Sequence, residues 1–339
     1  MPLKKQKPRE EKIVENFFNL KIIKLFPPEA SHLVALYGLK ILYKLNLIKI
    51  IFPKFKNQEI EFLGLKLANR LGTAAGLDKN GDFIDSVGSL GFGFLEVGTV
   101  TPKAQIGNPK PRVFRVFDEE AIINKLGFNN KGVDYLVTRL QKKKFQGIVG
   151  VNIGANKTSQ GQKRIDDYIE CFQKVYQYAD YITVNISSPN TPGLRDLHNS
   201  DNLKKLIDSI DNQIYACKYT KPIFLKISPD EDANSISEII HIINNSSFSG
   251  LIVSNTSIDK SLLSSKQFHE CEGGLSGKPI MNKSTKLLST IFKEDHTIPL
   301  IGVGGVMGYD DFIKKIDAGA SLVQIYSGFI VKGPQIVKD

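Results

Sequence analysis

The stretch YITVNISSPNTPGLR, residues 181–195, carries an unusual density of groups able to do chemistry. A β-branched run from Tyr181 to Ile186 gives way to Asn185, Ser187, Ser188 and Asn190. Chemistry is commonly placed where a rigid strand passes into a loop. The asparagine amides offer paired donors and acceptors, suited to a flat polar ring or a carboxylate. Ser188 is placed to accept or relay a proton. Pro189 and Pro192 restrict the loop backbone, so part of it is pre-formed. The same residues would serve equally as turn formers at an ordinary strand end.

Further polar groups fall at similar strand endings. Lys79 and Lys226 are candidate Schiff-base formers, counter-ions or solvated side chains. Asn124 and Asn255 join Asn185 and Asn190 as amides pointing to one pocket. Carboxylates are sparse there, with Asp78 and Glu96 the main ones. Uncharged amides around two lysines suit a planar, anionic ligand with amide-like edges. They do not suit a phosphosugar lyase, which would need carboxylates as acid and base. Gly302, Gly304 and Gly305 of GVGG, followed by Tyr326-Ser327-Gly328, offer backbone N–H groups to an anion such as a phosphate.

These residues need a scaffold that gathers strand ends. From residue 67 the pattern is βα repeated. Strands are expected at 69–75, 93–98, 148–153, 181–186, 222–227, 250–254, 299–303 and 321–326. Helices are expected at 82–90, 129–143, 165–178, 201–217, 233–245, 282–292 and 309–318. Eight apolar strands alternating with helices point to an α/β fold, a (β/α)8 TIM barrel, whose active site sits at the C-terminal strand ends. All eight strands end in polar or glycine-rich segments, and the loops after strands seven and eight are the recurrent phosphate site of such barrels. A short hairpin over 57–70 leads in. Residues 103–126 form a long insertion with one strand-like piece, 112–117.

The 339 residues are 41% apolar and 24% charged, ordinary for a globular protein. Of the +10 net charge, +7 lies in residues 1–60, so a basic nucleic-acid face on the main body is not indicated. Three cysteines without C-x-x-C spacing and five scattered histidines argue against a self-contained metal site. Residues 13–26 and 29–52 are apolar and lysine-studded, separated by Pro27-Pro28. No uncharged run is long enough to cross a bilayer. Such segments fit a membrane interface or a helical hairpin packed on the main domain, and the two are compatible. Domains are therefore drawn at 1–56, a helical extension, and 57–339, the barrel. Acidic Glu10, Glu11 and Glu15 count against a mitochondrial presequence.

The blocks AAGLDKNG, GFGFLEVGTVTP, GNPKPRVFR, NKLGFNN, NISSPNTPGLR, GGLSGKP, IGVGGV and GASLVQIYSGF, in this order, resemble class 2 dihydroorotate dehydrogenases. These are membrane-associated, quinone-reducing flavoenzymes of pyrimidine synthesis, and the resemblance runs from about residue 25 to the end. It implies one FMN per chain, held by Ala75, Gly76, Leu77, Asp78, Lys79, Thr99, Asn152, Asn185, Lys226, Ser254 and Gly277. Gly305, Tyr326 and Ser327 would lie near its phosphate. Dihydroorotate would be held by Lys79, Asn124, Lys125, Leu126, Gly127, Phe128, Asn190, Asn255 and Thr256. Ser188 matches the catalytic base that takes the C5 proton while C6 passes hydride to the flavin, with Thr191 and Phe128 shaping the proton exit. Arg115 and Tyr326 match the path to a membrane quinone. The resemblance also implies a peripheral membrane protein; the missing presequence favours the cytoplasmic face of a bacterial inner membrane. A monomer is expected.

Two positions depart from the family pattern. Lys125 stands where Arg is frequent, keeping the charge but not the planar fork. Ser254 replaces a common Thr and keeps the hydroxyl. Three other readings are weighed: a soluble flavin barrel passing electrons to fumarate or an iron–sulfur partner, a Schiff-base lyase or isomerase on Lys226, and a non-enzymatic membrane-surface binder. The soluble class carries Cys at the base position, where this chain has Ser188.

Overall fold

The computed structural model describes residues 26–52, 58–191, 194 and 200–337. The helix expected over 13–26 falls, up to residue 25, outside the described residues, as does Pro192 of the loop. The chain enters through helix α1 (Pro28–Lys44) and a short turn α2 (Ile48–Ile51). Pro28 opens α1, where a proline lacks no needed N–H. The antiparallel hairpin β1 (Ile60–Phe62) and β2 (Leu65–Leu67) follows, as expected from the alternation around Gly64.

Eight parallel strands then close into a barrel. In order around it they are β3 (Leu71–Thr73), β4 (Phe94–Val100), β7 (Ile148–Ile153), β8 (Tyr181–Asn185), β9 (Ile223–Ile227), β10 (Gly250–Val253), β12 (Leu300–Val303) and β13 (Leu322–Ile325). Every expected strand is present. The first is shorter than expected because Asn69 acts as a clamp at its start. Its carbonyl oxygen accepts the N–H groups of Leu71 and Gly93, and its amide donates to Gly91.

The surrounding helices are α3 (Ile84–Gly88), α4 (Val133–Gln141), α5 (Gln162–Val175), α6 (Ser200–Cys217), α7 (Ala233–Asn244), α8 (Met281–Glu294) and α9 (Tyr309–Asp317). Each expected helix is again present. In α6, Leu203, Leu206, Ile207 and Ile210 are buried at the spacing of one helical face. In α7 the same spacing buries Ile236, Ile239, Ile240 and Ile243, and Asp232 caps the start by accepting the Ser235 N–H. A last helix, α10 (Ser327–Lys332), begins at the end of β13.

The barrel interior has two layers. The lower is aromatic: Phe62 of the hairpin stacks on Phe224 at 6.1 Å, and Tyr181 meets Phe224 edge-on at 5.7 Å. The hairpin thus plugs the floor. Glycines make room for these rings; a Cβ on Gly150 would lie 2.0 Å from the Tyr181 ring. Above it lies a polar layer of Thr73, Glu96, Asn152, Thr183, Lys226 and Gln324, all buried.

The 103–126 insertion holds more order than the sequence suggests. β5 (Val113–Val116) is the expected strand-like piece, but it pairs with β6 (Ala121–Asn124), which in turn pairs with β11 (Gly274–Gly277). Neither β6 nor β11 is read from sequence. The first is only four residues, the second is half glycine, and they come from distant parts of the chain. The three-stranded sheet covers one side of the barrel mouth.

Helix α1 packs against α3 and β5, burying Ser31, Leu36 and Leu39. Its other side leaves Leu33, Val34, Tyr37, Ile41 and Leu45 about half exposed or more, from 49% to 61%. Packing on the barrel is therefore realised, and an apolar stripe is left over. No helix among the described residues is long and apolar enough to cross a membrane.

The Gly150–Tyr181 contact tests the plugged floor. Gly150→Ala should destabilise the protein by about 1–3 kcal/mol, the usual cost of overpacking, read from urea unfolding. An unchanged midpoint would contradict the packing described.

Candidate active site

The strand ends open onto one cleft with about 940 Å³ of free space. Its walls are made by groups from all parts of the chain. Ala75, Gly76 and Lys79 follow β3, and Thr99 ends β4. Asn124, Leu126, Gly127 and Phe128 come from the sheet over the mouth. Asn185, Ser188 and Asn190 follow β8, and Lys226 ends β9. Ser254, Asn255, Thr256 and Gly277 close the next side, and Gly305, Tyr326 and Ser327 complete the wall. The structure brings all of these sequence-identified residues together.

A chain of amides runs from beneath the floor into it. Asn152 donates to Glu96 at 2.8 Å, so its carbonyl oxygen faces the other way. There it accepts from Thr99 Oγ1 at 2.6 Å and from Asn185 Nδ2 at 3.1 Å. Asn185 Oδ1 in turn accepts from Asn255 Nδ2 at 3.3 Å, which also donates to Ser187 Oγ at 3.0 Å. Across the cleft, Asn190 Nδ2 lies 3.4 Å from Asn124 Oδ1. The amides are therefore oriented before any ligand enters.

Ser188 is 5% exposed, and its Oγ accepts the Asn190 N–H at 3.3 Å. No acceptor for its own proton is found among the described residues. Close by, the buried Thr191 hydroxyl has no partner among them either. Phe128, beside the cleft, sits at φ +51°, a strained conformation for a bulky residue. Gln105 holds it there by donating to the Gly127 and Phe128 carbonyls, both at 3.1 Å, while Asn130 donates to Phe128 at 2.7 Å. Such fixed strain places the Phe128 ring against the cleft.

The two lysines differ from solvent lysines. Burial pushes Lys79 down to about 8, against the opposing pull of Glu29 and Asp78. Burial also lowers Lys226, with Glu96 acting the other way. Both are cations held where an anionic ligand would compensate the lost hydration.

The opposite end of the cleft suits a phosphate and the floor suits a ring. Gly304 and Gly305 have φ +109° and +83°, and a Cβ on Gly305 would meet the Met281 Cα at 2.5 Å. The backbone there is shaped as a close cradle. Gln324 donates to Glu96 at 2.7 Å, which leaves its buried Oε1 without a donor among the described residues. Thr256 Oγ1 is likewise buried and unpartnered. An N–H-bearing heterocycle with a phosphate tail, such as FMN with its substrate, fits this set of acceptors, cations and cradle.

Six sequence-identified residues do not line this cleft. Leu77 is in the core, and its carbonyl is 2.8 Å from His32 Nε2. Asp78 turns away to accept the N–H groups of Asp82 and Phe83 at 3.0 and 2.7 Å. Its side chain shapes the loop, and burial pushes its carboxyl up to about 6. Asn152 lies below the floor as an orienting group. Lys125 is not in the lining and pairs with the exposed Glu272 at 3.1 Å. Thr191 is buried, three residues after Ser188, and is not in the lining. Arg115 lines a second cavity.

That second cavity has about 1400 Å³ of free space between α1, β5 and α10. It is mainly apolar, with Leu36, Leu39, Val113, Ile122 and Phe329 in its walls, and Lys79, Leu126 and Tyr326 are shared with the first cleft. His32 also lines it, and burial pushes this imidazole down to about 4, so it is neutral at physiological pH. Arg115 donates to Ser31 Oγ at 3.2 Å and to the Phe26 carbonyl at 2.6 Å. Sequence reasoning missed Gln324, Glu96 and His32 as site groups. Gln324 and Glu96 had one available signal, a polar residue inside an apolar strand.

The family model described as dihydroorotate dehydrogenase matches residues 58–339. A dihydroorotate dehydrogenase (quinone) of Saccharophagus degradans is 46% identical over 316 residues, covering 92% of this chain and 93% of that protein. One of Neisseria meningitidis is 45% identical over 318 residues, covering 92% and 94%. The crystal structure of an Eimeria tenella DHODH in complex with ferulenol superposes with a TM-score of 0.81 at 33% identity, covering 91% of this chain and 88% of that one. On the fold, the cleft and these similarities together, the chain belongs to the dihydroorotate dehydrogenase family.

Proposed function

We propose that this chain oxidises dihydroorotate to orotate and delivers the electrons to a membrane quinone. The observation that carries the reading is the joining of two unlike cavities. One is amide-lined and cationic, holding Ser188; the other is apolar and runs beneath α1. They meet at Lys79, Leu126 and Tyr326.

FMN bound in the first cleft would supply the two-electron acceptor between substrate and quinone. Gly305 and Ser327 suit its phosphate, while Thr99, Asn185, Lys226 and Gln324 suit its ring. A cation at Lys226 favours negative charge developing beside it. The substrate is a ring with two amide edges and a carboxylate, saturated at C5 and C6 until its oxidation flattens it. Asn124, Asn190, Asn255 and Thr256 supply matching donors and acceptors, and Lys79 supplies the charge. Ser188 removes the substrate's C5 proton. A serine hydroxyl is a weak base and needs a proton route; the unpartnered Thr191 hydroxyl and the Phe128 ring form its wall.

The second cavity suits a quinone head group. Its apolar lining accepts the ring, and Arg115, His32 and Tyr326 offer polar contacts near the flavin end. The apolar stripe on α1, with the exposed Lys44 beside it, supports a peripheral seat on a membrane surface. The bacterial relatives fit a bacterial membrane, and its cytoplasmic face is part of the same proposal. One chain supplies every group of both cavities, so a monomer suffices.

Two variants separate the half-reactions. Ser188→Ala should slow flavin reduction by dihydroorotate roughly 10²–10⁴-fold while FMN content stays near wild type; a wild-type reduction rate removes Ser188 as the base. Ala35→Trp, filling the second cavity, should slow reoxidation of reduced flavin by a ubiquinone analogue and spare reduction by dihydroorotate. Equal loss of both would assign the cavity a structural role.

A further inference from the structure

Behind the Gly304–Gly305 turn lies a cation without a carboxylate partner. Lys315, on α9, is 0% exposed. Among the described residues no carboxylate lies within ion-pair distance of its Nζ; its neighbour Lys314 takes Asp311 at 3.3 Å. Instead, Lys315 Nζ donates to Ser284 Oγ at 2.6 Å and lies 3.5 Å from the Val303 carbonyl. Burying an ammonium is costly, so a buried lysine with no carboxylate in contact needs compensation.

The compensating contacts run toward the glycine turn. Ser284 sits in the first turn of α8, and its Oγ is 3.0 Å from the Gly304 carbonyl and 3.1 Å from that of Met281. With Lys315 occupying a lone pair on Oγ, the serine's single proton is available to a carbonyl. In a trans peptide the C=O and N–H point in opposite directions. Tethering the Gly304 carbonyl toward Ser284 therefore turns the Gly305 N–H away from α8. Gly304 and Gly305 both line the cleft. Packing holds the same arrangement, since a Cβ on Gly304 would sit 2.9 Å from Ser284 Oγ. The stem of Lys315 packs on Gly302, where a Cβ would lie 3.3 Å from the lysine's own Cβ.

We propose that Lys315 is a positioning residue for the cofactor phosphate, acting through Ser284 and the Gly304–Gly305 peptide. The ammonium polarises a line of hydrogen bonds, from Nζ–H to Oγ–H to the carbonyl, that ends in an N–H facing the anion. In addition, its charge lies behind the turn and is compensated when a phosphate arrives. Burial pushes the lysine down to about 7 against the opposing pull of Asp311, and an arriving phosphate would favour its ammonium form. The proposal rests on the reading of the cleft as an FMN site.

The test is titration of the full-length, flavin-stripped protein with FMN and, separately, with riboflavin, which lacks the phosphate. Lys315→Met keeps most of the buried volume and removes the charge. It should weaken FMN binding by roughly tenfold or more, as expected for loss of a charge-assisted hydrogen bond, and leave riboflavin binding unchanged. Ser284→Ala should act in the same direction, and the double variant should lose less than the sum of the two. Unchanged FMN affinity in Lys315→Met, or equal weakening of FMN and riboflavin, would overturn the proposal. Failure of the wild-type protein to bind FMN would instead sink the cleft assignment itself, so the two failures are distinguishable.

Discussion

A carboxylate buried inside the barrel can only accept hydrogen bonds, and Glu96 is such a group at the level just below the cleft floor. It accepts from Asn152 at 2.8 Å, Tyr181 at 3.0 Å, Thr183 at 3.1 Å and Gln324 at 2.7 Å. These donors come from β7, β8 and β13, so one side chain joins much of the barrel's circumference. Because each donor is turned toward Glu96, each carbonyl oxygen of Asn152 and Gln324 is turned elsewhere. Asn152 passes the direction on to Thr99, Asn185 and then Asn255. The floor is thus pre-oriented by a charge that touches none of the cleft's contents. A buried carboxylate carries a large desolvation cost, which four donors and the nearby cation Lys226 offset. The aromatic layer and its hairpin plug lie beneath and keep water from this network.

The second constraint is the sharing of Lys79, Leu126 and Tyr326 by two cavities of opposite character. The amide-lined cleft suits a charged, water-soluble ring; the cavity under α1 suits an apolar one. Helix α1 makes this possible by being apolar on two sides. Leu36 and Leu39 close the cavity roof, while Val34 and Ile41 stay outside. Glu29 at its start is held by Arg112 in an ion pair of 2.8 Å, which fixes the helix to the insertion that also carries the cleft residues Asn124 and Leu126. Helix α1 is thereby tied to the elements that build the active site.

Much of this was legible in the sequence because barrels repeat. Each strand is an apolar run with a polar ending, and eight such endings in order locate the mouth without any contact map. Ser188, Asn190 and the GVGG turn were visible for that reason. What the sequence hid depends on partners far along the chain. Glu96 stood out only as a sparse carboxylate, since its donors lie between 56 and 228 positions away. Strand β11, written Gly-Leu-Ser-Gly, has no strand character until β6 lies beside it. Lys314 and Lys315 look alike as neighbours, yet one side chain is 63% exposed and the other fully buried. Asp78 and Leu77 belong to a recognisable block, but their side chains serve the loop and core rather than the cleft. Lys125 is drawn outward by Glu272, a partner nothing in its local motif announces.

Electrons that enter at one cavity must leave by the other. The most direct measurement is anaerobic mixing of purified protein with dihydroorotate while following flavin absorbance, then adding a ubiquinone analogue. The account predicts that dihydroorotate bleaches the flavin band and that the quinone restores it. Bound flavin that dihydroorotate fails to bleach, or a bleached flavin that the quinone leaves unchanged, would contradict it.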